Sequence, residues 1–260
     1  MKTLDRGFAL LEYIVEAGEA VSARDLMTLT ALNRSTVYRY LNVLLERGYV
    51  KTAANGQGYV PGCRILELSG SILSSLDIRD IARPHLLKLS NALSLTAHLA
   101  IRDGDRILYV DKVETQRSLP IISRVGSRAP LYCTSLGKAL LAYEESALLD
   151  ELLSSQSLVR RTENTITRVD VLRGELETVR SEGFAVDNEE NELGIYCMAC
   201  PIFDVSEAVC AAISVTGLKR QFVHRTRIIR ALTQAAREIS SAMGNPSLGD
   251  GELARSASDG

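Results

Sequence analysis

Residues 33–42, Asn33-Arg34-Ser35-Thr36-Val37-Tyr38-Arg39-Tyr40-Leu41-Asn42, set hydroxyls, amides and guanidiniums at helical spacing. Ser35, Tyr38, Arg39 and Asn42 share one helix face, and Val37, Tyr40, Leu41, Leu44 and Leu45 share the other. The apolar stripe calls for a core. The polar stripe lacks the Glu, Lys and Gln of an ordinary solvated face. Its small donors suit phosphate oxygens, and Arg39 and Asn42 are long enough to reach base edges in a DNA major groove. Arg34, Ser35 and Thr36 head the segment, where free backbone N–H groups and the positive dipole end favour a phosphate. Lys51, Asn55 and Gln57, farther along, can touch the adjacent backbone or minor groove. A solvated face on a small helical bundle is the plain alternative. Charge is local: residues 1–32 hold three Lys/Arg against five Asp/Glu, whereas residues 33–60 hold Arg34, Arg39, Arg47 and Lys51 against Glu46.

A second group of polar residues lies in the C-terminal half. Strand alternation sets Ser214 and Thr216 on one face, with Ile213 and Val215 on the other. Cys197 sits in a neighbouring apolar run. Asp187 ends a strand that leads into Asn188-Glu189-Glu190-Asn191-Glu192, where Glu189 and Glu190 read as a solvated turn or part of a lid. Buried hydroxyls need partners; a small polar ligand is one possibility and backbone carbonyls are the other. Ser135 and Leu136 head a helix whose N–H groups can hold a carboxylate. A nucleophile reading of Cys197 beside Asp187 needs a base, and no histidine stands convincingly near it. His85, His98 and His224 have no i, i+4 partner or acidic orienter, so neither a metal site nor a catalytic residue is expected. Cys197 and Cys200 form a lone C-x-x-C whose side chains point to opposite strand faces.

The elements that must carry these residues follow from periodicity. Phe8, Leu11, Ile14 and Val15 mark a first helix, stopped by Gly18. Ser22 and Asp25 form a capping box for a second, and Asn33 caps the third, which Gly48 ends. Two β-prone runs, 49–52 and 58–60, meet at Asn55-Gly56, a hairpin signal. Three short helices and a hairpin make a winged helix-turn-helix over residues 1–61. Ile65, Leu68, Ile72 and Leu76 form a stripe on a linker or dimerisation helix, 62–78, and Pro84 opens a further helix through Leu93. Residues 79–244 alternate hairpin strands (95–102 and 106–113, 119–125, 184–187, 194–203 and 207–216) with helices at 136–143, 168–182 and 222–243. This is an α+β sheet domain. Residues 245–260, rich in Gly and Ser, read as a disordered tail.

The chain has 260 residues, 46% apolar and 24% charged, with a net charge of −2, a globular balance. No apolar run approaches the ~20 residues that span a bilayer, and the first residues lack a signal-peptide pattern, so a cytoplasmic protein without membrane contact is expected. Five cysteines do not make a disulfide framework. No cofactor is expected.

The run NRSTVYRYLNVLLERGYV, the Asn-Gly wing, PLYCTSLGKALLA (130–142), GFAVDNEENELGIYCMACPIFD (183–204) and AAISVTG (211–217) resemble, in that order, the IclR-type bacterial transcriptional regulators. The resemblance implies a winged helix-turn-helix joined by a helix to a GAF-like effector-binding domain, working on double-stranded operator DNA as a homodimer or homotetramer. It implies a small carboxylate effector held by the Ser135-Leu136 backbone, Asp187, Cys197, Ser214 and Thr216. Repression relieved by a keto, hydroxy or sugar acid is the expected pattern. A C-terminal domain that only oligomerises, and a Cys-dependent enzyme, are the rival readings. Two departures stand out: Tyr196 where many relatives carry a basic residue, and Thr216-Gly217-Leu218 in place of Ser-Gly-Pro.

Overall fold

In the computed structural model, residues 2–54, 56–74, 77–114, 123–145, 149–151 and 158–245 are described. Helices α1 (Lys2–Glu16), α2 (Ala23–Thr30) and α3 (Arg34–Glu46) enclose Leu10, Ile14, Leu26, Val37 and Leu41. Local chemistry sets their ends. The Asp25 N–H donates to Ser22 Oγ and the Ser22 N–H to Asp25 Oδ2, both at 3.2 Å, which closes the capping box. The Thr36 N–H donates to Asn33 Oδ1 at 2.9 Å, so Asn33 caps α3. Past α3, Gly48 takes φ +72°, and the Tyr49 N–H returns to the Leu44 carbonyl at 2.9 Å. The chain then enters β1 (Val50–Thr52), paired antiparallel with β2 (Tyr59–Pro61) to make the wing.

The first helix turns differently from its expected stripe. Leu10 and Ile14 are the fully buried pair, while Phe8 and Val15 remain 54% and 42% exposed. Helix α1 is apolar on two sides, and α2 and α3 cover only one of them. Helix α4 (Cys63–Ser74) follows the wing inside the same compact unit, Met1–Leu76. In the expected stripe, Ile65 is half-buried and Leu68 exposed; Ile72 lies on the helix and Leu76 outside the described residues.

The second unit spans Asp77–Gly260. It opens with α5 (Asp77–Leu93), which runs through Pro84 instead of starting there. Pro84 has no N–H for the Asp80 carbonyl, but Asp80 is exposed, where water can replace that donor. Strands β3 (Thr96–Asp103), β4 (Arg106–Val113), β5 (Arg128–Pro130), β6 (Ala185–Asn188), β7 (Ile195–Phe203) and β8 (Val209–Leu218) form one antiparallel sheet in the order β5-β4-β3-β8-β7-β6. Of the strand expected at 119–125, residues 119–122 lie outside the described residues and 123–125 carry no strand. The expected tail likewise falls outside them from residue 246 on.

Helices α6 (Ser135–Leu141) and α7 (Val169–Glu182) cover one sheet face, packing Leu136, Ala139, Leu172 and Leu176 with Ala100, Ala199 and Ala212. On the other face lie α5 and α8 (Arg225–Ala242): Cys200 Sγ is 3.7 Å from Thr233 Oγ1 on α8. A bulge in β4 opposite Leu99/Ala100 changes the alternation, so Tyr109 pairs with Ala100 and Asp111 with Leu99. Tyr109 therefore points to the α6 face, and Asp111 meets Arg83 of α5 at 2.7 Å.

Helix α6 sits close to the chain before it. A Cβ on Gly137 would stand 2.2 Å from the Leu131 carbonyl oxygen and 2.4 Å from its Cα, both backbone atoms. Gly137→Ala is expected to destabilise the C-terminal unit by about 1–3 kcal/mol through overpacking, read as a lower urea midpoint. An unchanged midpoint would mean that α6 can back away from residue 131.

Candidate functional site

A cavity of about 460 Å³ lies where the start of α6 faces the sheet. Ser135 and Leu136 on α6, Asp187 on β6, Cys197 on β7, and Ser214 and Thr216 on β8 all line it. The structure thus brings together every residue expected at the effector site. Thr134, next to that set, is the N-cap of α6: its Oγ1 accepts from the Gly137 N–H at 3.1 Å and donates to the Pro130 carbonyl at 2.7 Å. Ser214 Oγ is buried with no hydrogen-bond partner among the described residues. Native proteins rarely leave a hydroxyl so, and this one opens on the cavity.

Three residues of the lining that sequence reading passed over are His98, Tyr109 and Ser123. His98 Nε2 lies 2.7 Å from Ser123 Oγ, and Nδ1 lies 3.4 Å from Thr216 Oγ1. Burial, with help from the charge of Lys112, pushes the imidazole down to about 3, so the ring is neutral. Tyr109 stands with its ring centroid 5.3 Å from that of His98. His98 could have been found only through register, since it pairs with Ser214 across β3 and β8.

The acidic end of the cavity is built from inside. Asp187 Oδ1 accepts from the Glu190 N–H at 2.8 Å and the Asn191 N–H at 3.4 Å. Burial above all pushes the Asp187 carboxyl up to about 7; Glu190 adds to the rise, while the two N–H groups and Lys138 restrain it. Burial, then the Asp187 charge, raises the Cys197 thiol well above its ordinary range, the reverse of an activated nucleophile. The expected solvated turn is half wrong. Glu190 is buried and meets Lys138 Nζ at 2.7 Å, and the same ammonium, fully buried, meets Glu175 at 2.9 Å. Burial opposes the Lys138 charge, but Glu190 and Glu175 outweigh it and keep the ammonium protonated. Glu189 is the residue turned outward, paired with Lys219 at 3.0 Å.

In the first unit, Arg34, Ser35, Tyr38, Arg39 and Asn42 are exposed on α3, with Thr36 half-buried, while Val37, Tyr40 and Leu41 face the core. The Arg34 guanidinium lies 5.5 Å from the Tyr38 ring centroid, and that of Arg39 lies 5.4 Å from Tyr40. Ser35 Oγ donates to Asn33 Oδ1 at 2.9 Å, so its proton is committed to the cap. Lys51 and Gln57 are exposed on the wing; Asn55 lies outside the described residues.

Two family models match this chain: the IclR helix-turn-helix domain over residues 3–54, and the bacterial transcriptional regulator IclR C-terminal over residues 70–241. The chain belongs to the IclR family of bacterial transcriptional regulators. It is a regulator with a DNA-binding helix-turn-helix and an effector-binding C-terminal domain. The HTH-type transcriptional regulator KdgR of Escherichia coli is 33% identical to it over 239 residues, 91% of this chain and 90% of KdgR. The DNA-binding transcriptional repressor YiaJ of E. coli is also 33% identical, over 94% of this chain and 88% of YiaJ. An IclR homologue of Microbacterium hydrocarbonoxydans, solved with 4-hydroxybenzoate, superposes with a TM-score of 0.82 at 25% identity, covering 93% of this chain and 98% of that one.

The departures from the IclR pattern have local accounts. Tyr196 is buried on the sheet face away from the cavity, with its ring centroid 4.7 Å from that of Phe222. Leu218, where the pattern has Pro, keeps a backbone N–H that donates to Gln221 Oε1 at 2.8 Å.

Removing the buried Lys138 ammonium leaves the Glu190 and Glu175 carboxylates without their shared cation. Lys138→Met is expected to cost about 3–5 kcal/mol of stability by urea unfolding, and adding Glu190→Gln and Glu175→Gln to restore most of it. A single variant as stable as the parent would show that the carboxylates find solvent.

Proposed function

We propose that this IclR-family regulator represses transcription by binding operator DNA as a dimer or tetramer through α3 and the wing, and that a small keto, hydroxy or sugar acid in the cavity relieves repression. The observation that carries the effector reading is the buried Ser214 hydroxyl, partnerless among the described residues and facing a cavity of about 460 Å³. Thr216 and Cys197 stand beside it for a carbonyl or hydroxyl oxygen, and the Ser135-Leu136 backbone takes the carboxylate. The hydroxy-acid complex of the Microbacterium relative and the repressor name of YiaJ support the chemistry and the sign.

Arg34, Ser35 and Thr36 would meet phosphates, with Tyr38, Arg39 and Asn42 toward base edges and Lys51, Asn55 and Gln57 along the flank. The stripe Ile65, Leu68, Ile72 and Leu76, with the uncovered side of α1 at Phe8 and Val15, supplies the surface for a second copy. Two recognition helices about one DNA turn apart require such a pairing. Effector can alter operator affinity only through a difference in its binding to two protein states.

Arg39→Ala should weaken specific operator binding by ~1–3 kcal/mol, whereas Lys51→Ala should lower affinity on all sequences and flatten its salt dependence. Equal operator affinity of Arg39→Ala and the parent at matched salt would sink the reading of that face. For the cavity, calorimetry of glycolate, pyruvate, D-gluconate and 4-hydroxybenzoate should give binding to the parent and at least tenfold weaker binding to Ser214→Ala, Thr216→Val. Undiminished binding to the double variant would place the effector elsewhere.

A further inference from the structure

Two carboxylates beside the cavity are buried, Asp187 near the end of β6 at 3% exposure and Glu190 in the turn that follows at 5%. A buried ammonium serves that turn. Lys138 is committed to Glu190 Oε1 and Glu175 Oε1, and Glu190 Oε2 has no hydrogen-bond partner among the described residues. Among the described residues, no cation lies within ion-pair distance of Asp187, whose charge is answered by two backbone N–H groups on Oδ1, by the Cys197 thiol and by Lys138 from beyond contact. A carboxylate effector would add a further negative charge to this enclosed space. Bringing an anion beside an unpaired buried anion is costly in low dielectric, and protonation is the cheaper outcome.

We propose that the effector anion enters together with one proton, which resides on Asp187. The inference rests on the effector reading above. Before binding, Asp187 is in part a carboxylate; afterwards it is a carboxylic acid, and its new O–H donates to a hydroxyl or keto oxygen of the ligand. The ligand keeps its own carboxylate, so one proton is taken from solvent and no other bond changes. Asp187 thus acts as a donor and not as the acceptor that an ionised carboxylate would be.

The surrounding groups leave Asp187 as the acceptor of that proton. In the turn after β6, burial raises Glu190 as well, but its Oε1 is tied to the Lys138 ammonium at 2.7 Å, and Glu192 is exposed. From β7 and from the segment before α6, Cys197 and Cys133 are both raised by burial and remain thiols. From β3 and β4 come the neutral His98 ring and Tyr109, whose phenol burial pushes upward. The rim cations are Arg106, Arg128 and Arg161; Arg128 is paired with Asp103, and Arg161 Nε donates to the Asn191 carbonyl at 3.3 Å. The Asp187 carboxyl, pushed up to about 7 by burial, already stands where a nearby anion would complete its protonation.

The sign follows. Below about pH 7 the proton is present before the ligand arrives, and binding is independent of pH. Above it, each binding event must draw the proton from solvent, so affinity falls as pH rises. The experiment titrates the full chain with glycolate, pyruvate, D-gluconate and 4-hydroxybenzoate, whose carboxyls stay ionised from pH 6 to 8.5. Heats measured at pH 7.5 in phosphate and in Tris, which differ in ionisation enthalpy, give the proton count. The expected result is an uptake of about 0.5–1 proton per acid bound, with Kd weakening toward about tenfold per pH unit between pH 7 and 8.5. In Asp187→Asn, which keeps an acceptor for the two N–H groups, uptake should vanish and Kd stay flat. Binding to the parent without proton uptake overturns the proposal, as does uptake that persists in Asp187→Asn. The buffer comparison on the parent decides by itself if that variant does not fold. Failure of every acid to bind at any pH removes the effector reading, and this inference with it.

Discussion

The register of the antiparallel sheet is the constraint on which the rest of the site depends. Across β6, β7, β8 and β3, one lateral row reads Asp187, Cys197, Thr216, Thr96, and the next reads Ala185, Ala199, Ser214, His98. Both rows face α6. A slip of one residue in β8 would turn Ser214 and Thr216 to the opposite face and bring Ile213 and Val215 into the cavity. The two rows also share the labour. Ala185 and Ala199 of the second row let α6 approach, while Ser214 and His98 at its other end join Asp187, Cys197 and Thr216 of the first around the cavity. Gly137 matters for the same reason, because it allows the helix to lie against the Leu131 backbone.

On that frame the charges are arranged with little slack. Lys138 comes from α6, Glu175 from α7 and Glu190 from the loop after β6, so one ammonium ties three separate elements at 2.7–2.9 Å. The loop thus anchored presents its Glu190 and Asn191 N–H groups to Asp187. Thr162 and Thr165, both buried, close the same loop, Thr162 donating to the Glu189 carbonyl and Thr165 to the Glu190 carbonyl, each at 2.7 Å. A buried ion pair is weak support for stability as such. Its consequence here is geometric: it fixes where the Asp187 carboxyl must sit.

What was legible in the sequence divides by range. The capping box of Ser22 and Asp25, the Asn33 cap, the hairpin turns and the alternation of Ser214 and Thr216 depend on neighbours a few residues away, and those features appear where the sequence puts them. Register needs partners far along the chain. His98 meets Thr216 across 118 residues and Glu190 meets Lys138 across 52, so neither contact leaves a periodic trace. The bulge that swings Tyr109 into the cavity is equally silent. On α1, two apolar sides compete for the core, and spacing alone could not choose Leu10 over Phe8. Pro84 misled for a different reason: proline prefers a first turn, but an exposed carbonyl four residues back lets a helix run through it.

The same bulge links the cavity to the chain that enters the domain. Tyr109 lines the cavity, and two residues on, Asp111 is buried against α5, with Arg83 Nη1 at 2.7 and 2.8 Å from its two carboxylate oxygens. Helix α5 begins three residues after α4 ends, so the strand that would feel a ligand also holds the helix through which the chain arrives from the DNA-binding unit. Adjacency of this kind does not by itself make a switch. A ligand moves an equilibrium only by preferring one of two arrangements. Here a single Arg83 nitrogen, Nη1, spans both oxygens of the buried carboxylate, and Arg79 Nη2 stands 3.9 Å from Oδ1 as a second cation. The pair lies on the back of the cavity-lining strand, so any shift of β4 would have to be met by Arg79 and Arg83 of α5.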